Sequence, residues 1–397
     1  MTLHPADQLA FDKAMVTQPV WNRFNTAADA LKLPQNVLLH AGPAFSAPDQ
    51  ITAPILNSAC VAAVYEGLAK SFDEAEAMIM AGEIELEPAQ DHDVVTPLAA
   101  VVSASMPLHT VYDAWRGMQR VYAPINGGSR PSLRLGLRSA AVLEHIRWLN
   151  TRFSDVLQDG IAEGIALVPL AVIGLMGGDD CDGRTPVATK ALVAELQDRA
   201  RTPITDENTL EFMASSPSLF LNLWMAATKC MMKLAEGIEG SSFVTAAGGN
   251  GRDVGIQVSD LPGRWFTAPA EPPKGRFDVD LPSDRALGAI GDSAVVEAFG
   301  LGAMAIDPSP AQKVALGSYL PGDRRARANG LSVGEHPYFR MLDLRLGSTA
   351  RGAVAAKAGP IVGLGILDRL GLAGRLGGGI YDMPVAPFAQ ALGALEK

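Results

Sequence analysis

A chain of 397 residues, 48% hydrophobic and 19% charged, can bury more than one compact core, which excludes a solvated disordered polymer. Its 33 basic and 43 acidic side chains leave a formal charge of −10, the wrong sign for nucleic acid or an anionic membrane surface, although a few local arginines suffice for a small anionic substrate. Three cysteines, Cys60, Cys181 and Cys230, are odd in number and far apart, so neither a disulfide framework nor a paired zinc site is expected and a reducing cytoplasm fits.

The opening Met1-Thr2-Leu3-His4-Pro5 has neither the basic nor the apolar region of a secretory leader. Over 57–70 the apolar positions Ala59, Val61, Ala62, Tyr65, Leu68 and Ala69 recur at helical spacing. Ser71 and Glu74 then have capping-box spacing for a second helix, which Gly82 is placed to end. The Val- and Ala-rich stretch 94–106 reads as a buried strand with a turn at Pro107. Over 139–153, Ala140, Val142, Leu143, Ile146, Leu149 and Phe153 share one face of an amphipathic helix. The most membrane-like run, 161–178, contains Glu163 and Pro169 and is too short between its polar ends to span a bilayer, so it reads as buried core.

Further helices are expected over 187–199 and 219–237, the second with Met225, Met231 and Met232 as core filler. Beyond Gly237 the texture changes to short β-like runs, 243–247, 255–259 and 265–268, with an exposed proline-rich loop over 271–283. The glycine- and leucine-rich stretch 359–379 reads equally as coil or short strands. These elements predict a multi-domain α+β chain: an α/β unit over 1–130, a mainly helical unit over 131–240 and a glycine-rich α+β unit over 241–397.

Three segments gather glycine, amides and acids between apolar runs, as sites of chemistry tend to do. In 176–185, Asp179, Asp180 and Asp182 surround a glycine turn. They suit a hard cation or the cap of a helix starting near Pro186, and without the other oxygen ligands of a calcium loop no metal is assigned. In 245–253, Gly248, Gly249 and Gly251 around Asn250 form either an anion-binding nest or a hairpin turn. In 290–302, Asp292 and Ser293 stand where a helix begins and Glu297 lies about one turn on. The following Gly300-Leu301-Gly302 is no dinucleotide fingerprint, because a helical run rather than a strand precedes it. No nucleophile elbow, phosphate-binding Walker loop or zinc helix occurs.

Taken in order, these segments resemble one bacterial family, domain-of-unknown-function family 1116. The likeness rests on His40-Ala41-Gly42-Pro43, Tyr65-Glu66-Gly67-Leu68-Ala69, Ser105-Met106-Pro107, Leu133-Arg134-Leu135-Gly136 and Met176-Gly177. It continues in Phe220-Leu221-Asn222-Leu223 with Lys229, Asn250-Gly251 with Gly255-Ile256, and Ile290-Gly291-Asp292-Ser293 with Glu297. Members are encoded beside acyl-CoA-synthetase-like proteins and carbamate kinases. The resemblance implies a cytoplasmic enzyme component similar to a subunit of the oxamate carbamoyltransferase of allantoin and purine breakdown, which moves a carbamoyl group between oxalurate and phosphate, giving oxamate and carbamoyl phosphate. It implies an acyl-CoA-synthetase-like partner subunit, with a ureido acid and phosphate as small anionic ligands; separately, the apolar, Ala- and Gly-rich surface that a low charge fraction leaves exposed predicts a homo-oligomer or hetero-complex, and no cofactor is expected. The chain departs from the family pattern at Cys181-Asp182-Gly183-Arg184-Thr185 and at Gly249, where relatives carry His-x-Arg-Asn and Arg, departures that leave open a changed substrate or lost activity.

Carbamoyl transfer from nitrogen to phosphate needs donors for the carbonyl oxygen, cations for carboxylate and phosphate, and a carboxyl group for the nitrogen's proton. Asn250, Asp292 and Glu297 are therefore the candidate catalytic residues. Gly249, Gly251, Ser293, Arg134, Arg184 and Lys229 are the candidate substrate ligands, and the turns at Asp179, Asn250 and Asp292 are expected to converge on one cleft. Two other readings stay open: a non-catalytic partner completing a site built by the acyl-CoA-synthetase-like subunit, and an amidohydrolase-like enzyme acting on a ureido or cyclic amide.

Overall fold

A computed structural model of the protein describes residues 3–117, 119–128 and 131–396, so Met1 and Thr2 of the opening segment lie outside the described residues. The chain is α+β, with helices interleaved among several small, mostly antiparallel sheets. Its hub is the helix Leu219–Lys233. Thirteen of its fifteen residues are buried, and a helix this apolar all round is stable only when enclosed. It lies between the sheet ordered Arg120–Pro124, Pro107–Asp113, Pro19–Thr26, Ile165–Ala166 and the strand Val244–Asn250 of a second sheet. Met225, Met231 and Met232 are core filler there, all fully buried.

The second sheet is a meander of Val244–Asn250, Asp253–Val258 and Leu261–Pro269, to which the short strand Ile290–Gly291 adds by pairing Ile290 with Asn250 and Gly291 with Gly249. A third, antiparallel sheet sets Lys274–Phe277, Arg375–Asp382 and Ile361–Leu367 side by side. The largest core draws on residues from Ala10 to Ala391, and Ile165–Ala166 pairs with Val20 and Trp21, so packing crosses both divisions expected near 130 and 240. No helix among the described residues is long and apolar enough to cross a membrane.

Several expectations change at their ends. The helices near 57–70 and 71–82 are Ala53–Glu66 and Phe72–Met80. The Ser71 hydroxyl accepts from Glu74 N–H at 3.1 Å, but the Glu74 carboxylate accepts from Lys70 N–H at 2.6 Å, one residue earlier than a reciprocal box requires. In 94–106 only Val101–Val102 is a strand, and Pro107 opens the strand Pro107–Asp113 rather than a turn, a first-residue position at which its missing N–H is tolerated. The helix expected to end at 153 continues through a π-turn, Leu149–Phe153, into Ser154–Ile161. Within the loop expected over 271–283, Lys274–Phe277 is an edge strand, and the ambiguous 359–379 supplies the hairpin that pairs with it.

Candidate functional site

A cavity of about 470 Å³ opens where the third sheet meets the start of the hub helix and the acidic turn. Its floor is made by Gly363, Gly365, Gly378 and Gly379 of the paired strands Ile361–Leu367 and Arg375–Asp382. The missing side chains leave the space open. A Cβ on Gly365 would reach Leu98 Cδ1 at 3.4 Å and Arg375 Nε at 3.6 Å, ordinary contact distances, so packing alone does not demand glycine at that position. Asn126, Arg134, Asp182, Asn222, Ser293 and Arg375 provide the polar walls.

Arg134 sits in a single 3-10 turn, Leu133–Leu135, that Gly136 ends at φ +67°. Its Nη1 donates to Asn126 Oδ1 at 2.9 Å, Ser132 Oγ at 2.9 Å and Gly127 O at 3.2 Å, and its Nη2 to Gly128 O at 3.3 Å. All four acceptors are neutral. Among the described residues no carboxylate pairs with it, and burial followed by the like charge of Arg375 lowers its pKa to about 10. Arg375 is half exposed and held at 2.8 Å by Asp278, also half exposed. Three guanidiniums, those of Arg134, Arg276 and Arg375, line the cavity against the two carboxyls of Asp182 and Asp278, a local excess of positive charge in a chain of net charge −10. The two asparagines are locked: Asn222 Nδ2 donates to Asn126 O at 2.7 Å.

The acidic turn divides its carboxylates between structure and cavity. Asp179 accepts from Val187 N–H at 3.3 Å and Ala188 N–H at 2.8 Å, capping the helix Pro186–Arg199, and Asp180 Oδ1 accepts from Asp182 N–H and Arg184 N–H at 3.0 and 2.8 Å. Cys181 between them takes φ +66°, an uncommon left-handed backbone for a non-glycine residue, and its fully buried thiol is pushed well up by burial. That tight turn delivers Asp182 to the cavity wall. There its carboxyl meets the Ser293 hydroxyl and the carboxyl of Glu297, which lies behind it. Burial and then the charge of Asp180 raise Asp182 well above the usual range despite its bonds to Glu297 and Ser293, and burial and then the charge of Asp182 raise Glu297 likewise. Glycine at 302 (φ +59°) makes the approach possible, since a Cβ there would lie 2.3 Å from Glu297 Oε1. Among the described residues no three or more His, Cys, Asp and Glu side chains are grouped to hold a metal.

Of the residues expected to bind or react, Arg134 and Ser293 line the cavity and Glu297 stands behind its wall. The others lie away from it, most of them in the framework. Asn250 is fully buried. Its Oδ1 accepts from Arg252 N–H at 3.0 Å and Asp253 N–H at 2.8 Å, its Nδ2 donates to Pro43 O at 2.8 Å, and Gly251 at φ +85° completes the hairpin turn. Asp292 accepts from Gly42 N–H, Gln90 Nε2, Thr96 N–H and Thr96 Oγ1, and its pKa is pushed up to about 6 by burial that these donors only partly offset. Gly249 packs against Ala289 O, where a Cβ would come within 2.4 Å. Lys229 is buried between Glu236 at 3.2 Å and Thr245 O at 2.8 Å, and Arg184 points to solvent. Asp182 and Arg375 were not singled out as site residues. Asp182 reads as one of three capping acids, and Arg375 falls in a stretch without a clean period.

The framework reading carries its own expectation. Gly42, at φ +75°, brings its Cα so near the second sheet that a Cβ would fall 2.4 Å from Gly249 C and 2.6 Å from Asn250 N. Gly42→Ala should therefore cost about 2–5 kcal/mol in a urea melt, combining left-handed strain with overpacking. Asn250→Ala should cost about 2–4 kcal/mol, because its loss leaves buried backbone groups unsatisfied, with turnover per folded molecule little changed.

The family described as oxamate carbamoyltransferase subunit AllG matches residues 84–293 of the chain. Oxamate carbamoyltransferase subunit AllG of Escherichia coli K12 is 31% identical over 377 residues, covering 91% of this chain and 89% of that protein. The uncharacterized protein YahG of the same strain is 30% identical over 402 residues, covering 98% and 84%. The crystal structure of a conserved protein of unknown function from Enterococcus faecalis V583 superposes with a TM-score of 0.91 at 25% identity over 98% of this chain and 97% of that one.

Proposed function

Because the chain belongs to the family of oxamate carbamoyltransferase subunit AllG, we propose that it works as one subunit of a carbamoyltransferase complex and that its cavity binds the anions of the reaction, an oxalurate-like ureido acid and phosphate. The observation that carries this reading is Arg134, a cation at the cavity wall whose hydrogen-bond acceptors are all neutral. A cation fixed by neutral dipoles keeps its charge available, and a carboxylate or phosphate supplies the missing counter-charge with charge-assisted bonds. Arg276 and Arg375, the latter offset in part by Asp278, add the further positive charge needed if two anions are to approach each other despite their repulsion.

The chemistry then follows. An oxygen of hydrogen phosphate attacks the ureido carbonyl carbon, the bond from that carbon to the inner nitrogen breaks, and the electron pair leaves with the nitrogen. The products are carbamoyl phosphate and oxamate. The arginines offset the charge gathered in the transition state, and no covalent enzyme intermediate is required.

The test is a phosphate-dependent assay for oxamate and carbamoyl phosphate, run with the chain alone and with its partner subunits. Turnover requiring both phosphate and this chain is the expected result. Release of ammonia with no phosphate requirement would make the protein an amidohydrolase instead, and no turnover in the full complex would sink the reading.

A further inference from the structure

Asp182 is 3% exposed and Glu297 is fully buried, yet Asp182 Oδ1 and Glu297 Oε2 have no N–H or O–H donor among the described groups. The remaining oxygens are accounted for differently on the two carboxyls. Glu297 Oε1 accepts from Gly363 N–H at 3.0 Å and Ala303 N–H at 3.3 Å, while the Asp182 carboxyl accepts from the Ser293 hydroxyl. No Lys, Arg or His among the described residues is bonded to either. Asp180 on the same turn adds further negative charge. Lys229 of the hub helix is tied to Glu236, Arg345 of the strand packed on Ala294–Phe299 is tied to the carbonyls of Ser332 and Val333, and Arg134, Arg276, Arg375 and Asp278 belong to the cavity walls.

Two dry, touching carboxylates with bare oxygens are untenable as a double anion. One proton between them turns the two bare oxygens into a donor and an acceptor. With Glu297 Oε1 already accepting two amides, the proton belongs on Oε2, directed at Asp182. We propose that Asp182 and Glu297 hold one shared proton at neutral pH and pass it, through Asp182 at the cavity wall, to the nitrogen that leaves during carbamoyl transfer.

This deepens the carbamoyl-transfer reading and rests on it. As the carbon–nitrogen bond breaks, the nitrogen's new electron pair takes the proton from Asp182, and the attacking hydrogen phosphate returns its own proton to the pair as the oxygen–carbon bond forms. Atoms and charge balance, and the reverse reaction runs the same steps backward. Asp182 is the catalytic group; Glu297 acts through it as a positioning residue that keeps the proton in store. Asn or Gln at either position keeps the shape but cannot relay a proton.

Infrared difference spectroscopy of the full chain at pH 7 tests the shared proton directly, with oxamate as the probe and its saturation measured by calorimetry. The expected result is a protonated-carboxyl band that is lost in Glu297→Gln and in Asp182→Asn and that shifts when oxamate binds the wild type. In the complex, both variants should lose roughly 10²–10⁴-fold in rate, together with the alkaline limb of the pH profile. A wild type without the band overturns the proposal, as does a band unmoved by saturating oxamate or a Glu297→Gln complex turning over at the wild-type rate. Should one variant fail to fold, the other carries the test. Failure of oxamate to bind is a different result: it defeats the carbamoyl-transfer reading and the nitrogen as proton acceptor, while the band still decides whether the proton is shared.

Discussion

Arg134→Leu should weaken phosphate and oxamate binding by roughly 10²–10³-fold and lower kcat/KM of the complex by at least as much, since truncating one side of a buried charge-assisted contact costs about 2–5 kcal/mol. The residue is held by four neutral acceptors and has no carboxylate partner among the described residues. Its removal therefore takes away the counter-charge for the ligand and also leaves those acceptors unbonded, so some stability will be lost as well. Arg134→Lys separates the two effects: it restores the charge but not the fork that spans Asn126, Ser132, Gly127 and Gly128, and should recover part of the affinity at best. Arg375→Ala should cost less, because that side chain is half exposed and already neutralised by Asp278. Calorimetric titrations with each anion, read beside melting temperatures, check the order. An Arg134→Leu complex that binds both anions and turns over normally would make the chain a non-catalytic partner of a site built elsewhere.

Asp182→Asn is expected to stabilise the folded chain while nearly abolishing turnover. The sign follows from the direction of the pKa shifts. Both carboxyls of the pair are raised above their unfolded values, so the folded state holds a proton that the unfolded state has released. The pair's favourable contribution is complete below the unfolded carboxylate range and is lost as pH rises through it toward the folded values. While one proton separates the two states, stability falls by about 1.36 kcal/mol per pH unit. Replacing Asp182 removes one of the two competing charges. The variant's stability should therefore decline less steeply above that range, and its advantage over the wild type should grow from acid to neutral pH. Urea melts of both proteins across that interval measure it. A variant that is less stable than the wild type at every pH would mean that the pair is not a strained acid store.

How far the site could be read from sequence depended on whether a residue's partners were local. The Ser71 cap, the Gly82 stop and the apolar hub helix rest on neighbours within a turn or two, and the structure has them close to where spacing puts them. Asn250 shows the limit of local reading: glycine on both sides serves an anion nest or a hairpin equally well, and only Pro43, more than two hundred positions earlier, fixes its amide in the framework. Asp182 was hidden because all three acids of its turn look alike until the long-range approach of Glu297 and Gly302 distinguishes one of them. Glu297 did carry a local signal. A carboxylate between Val295-Val296 and Ala298-Phe299 has no water to face and needs a reason to be there. Arg375 had none, since the hairpin that aims it is built from glycines with no β-branched alternation.

The glycine floor also sets the order in which the cavity can come into being. Arg134 and Asp182 are made early, and Ser293 and Glu297 follow, but the surface beneath them arrives only with Ile361–Leu367 and Arg375–Asp382. During synthesis, until that last hairpin emerges from the ribosome and folds back, the Glu297 carboxyl lacks the Gly363 amide that fixes it and the cavity stands open on one side. A chain that stopped short of that hairpin would carry Arg134 and Asp182 with no floor beneath them, so closure of the cavity waits on the C-terminal strands.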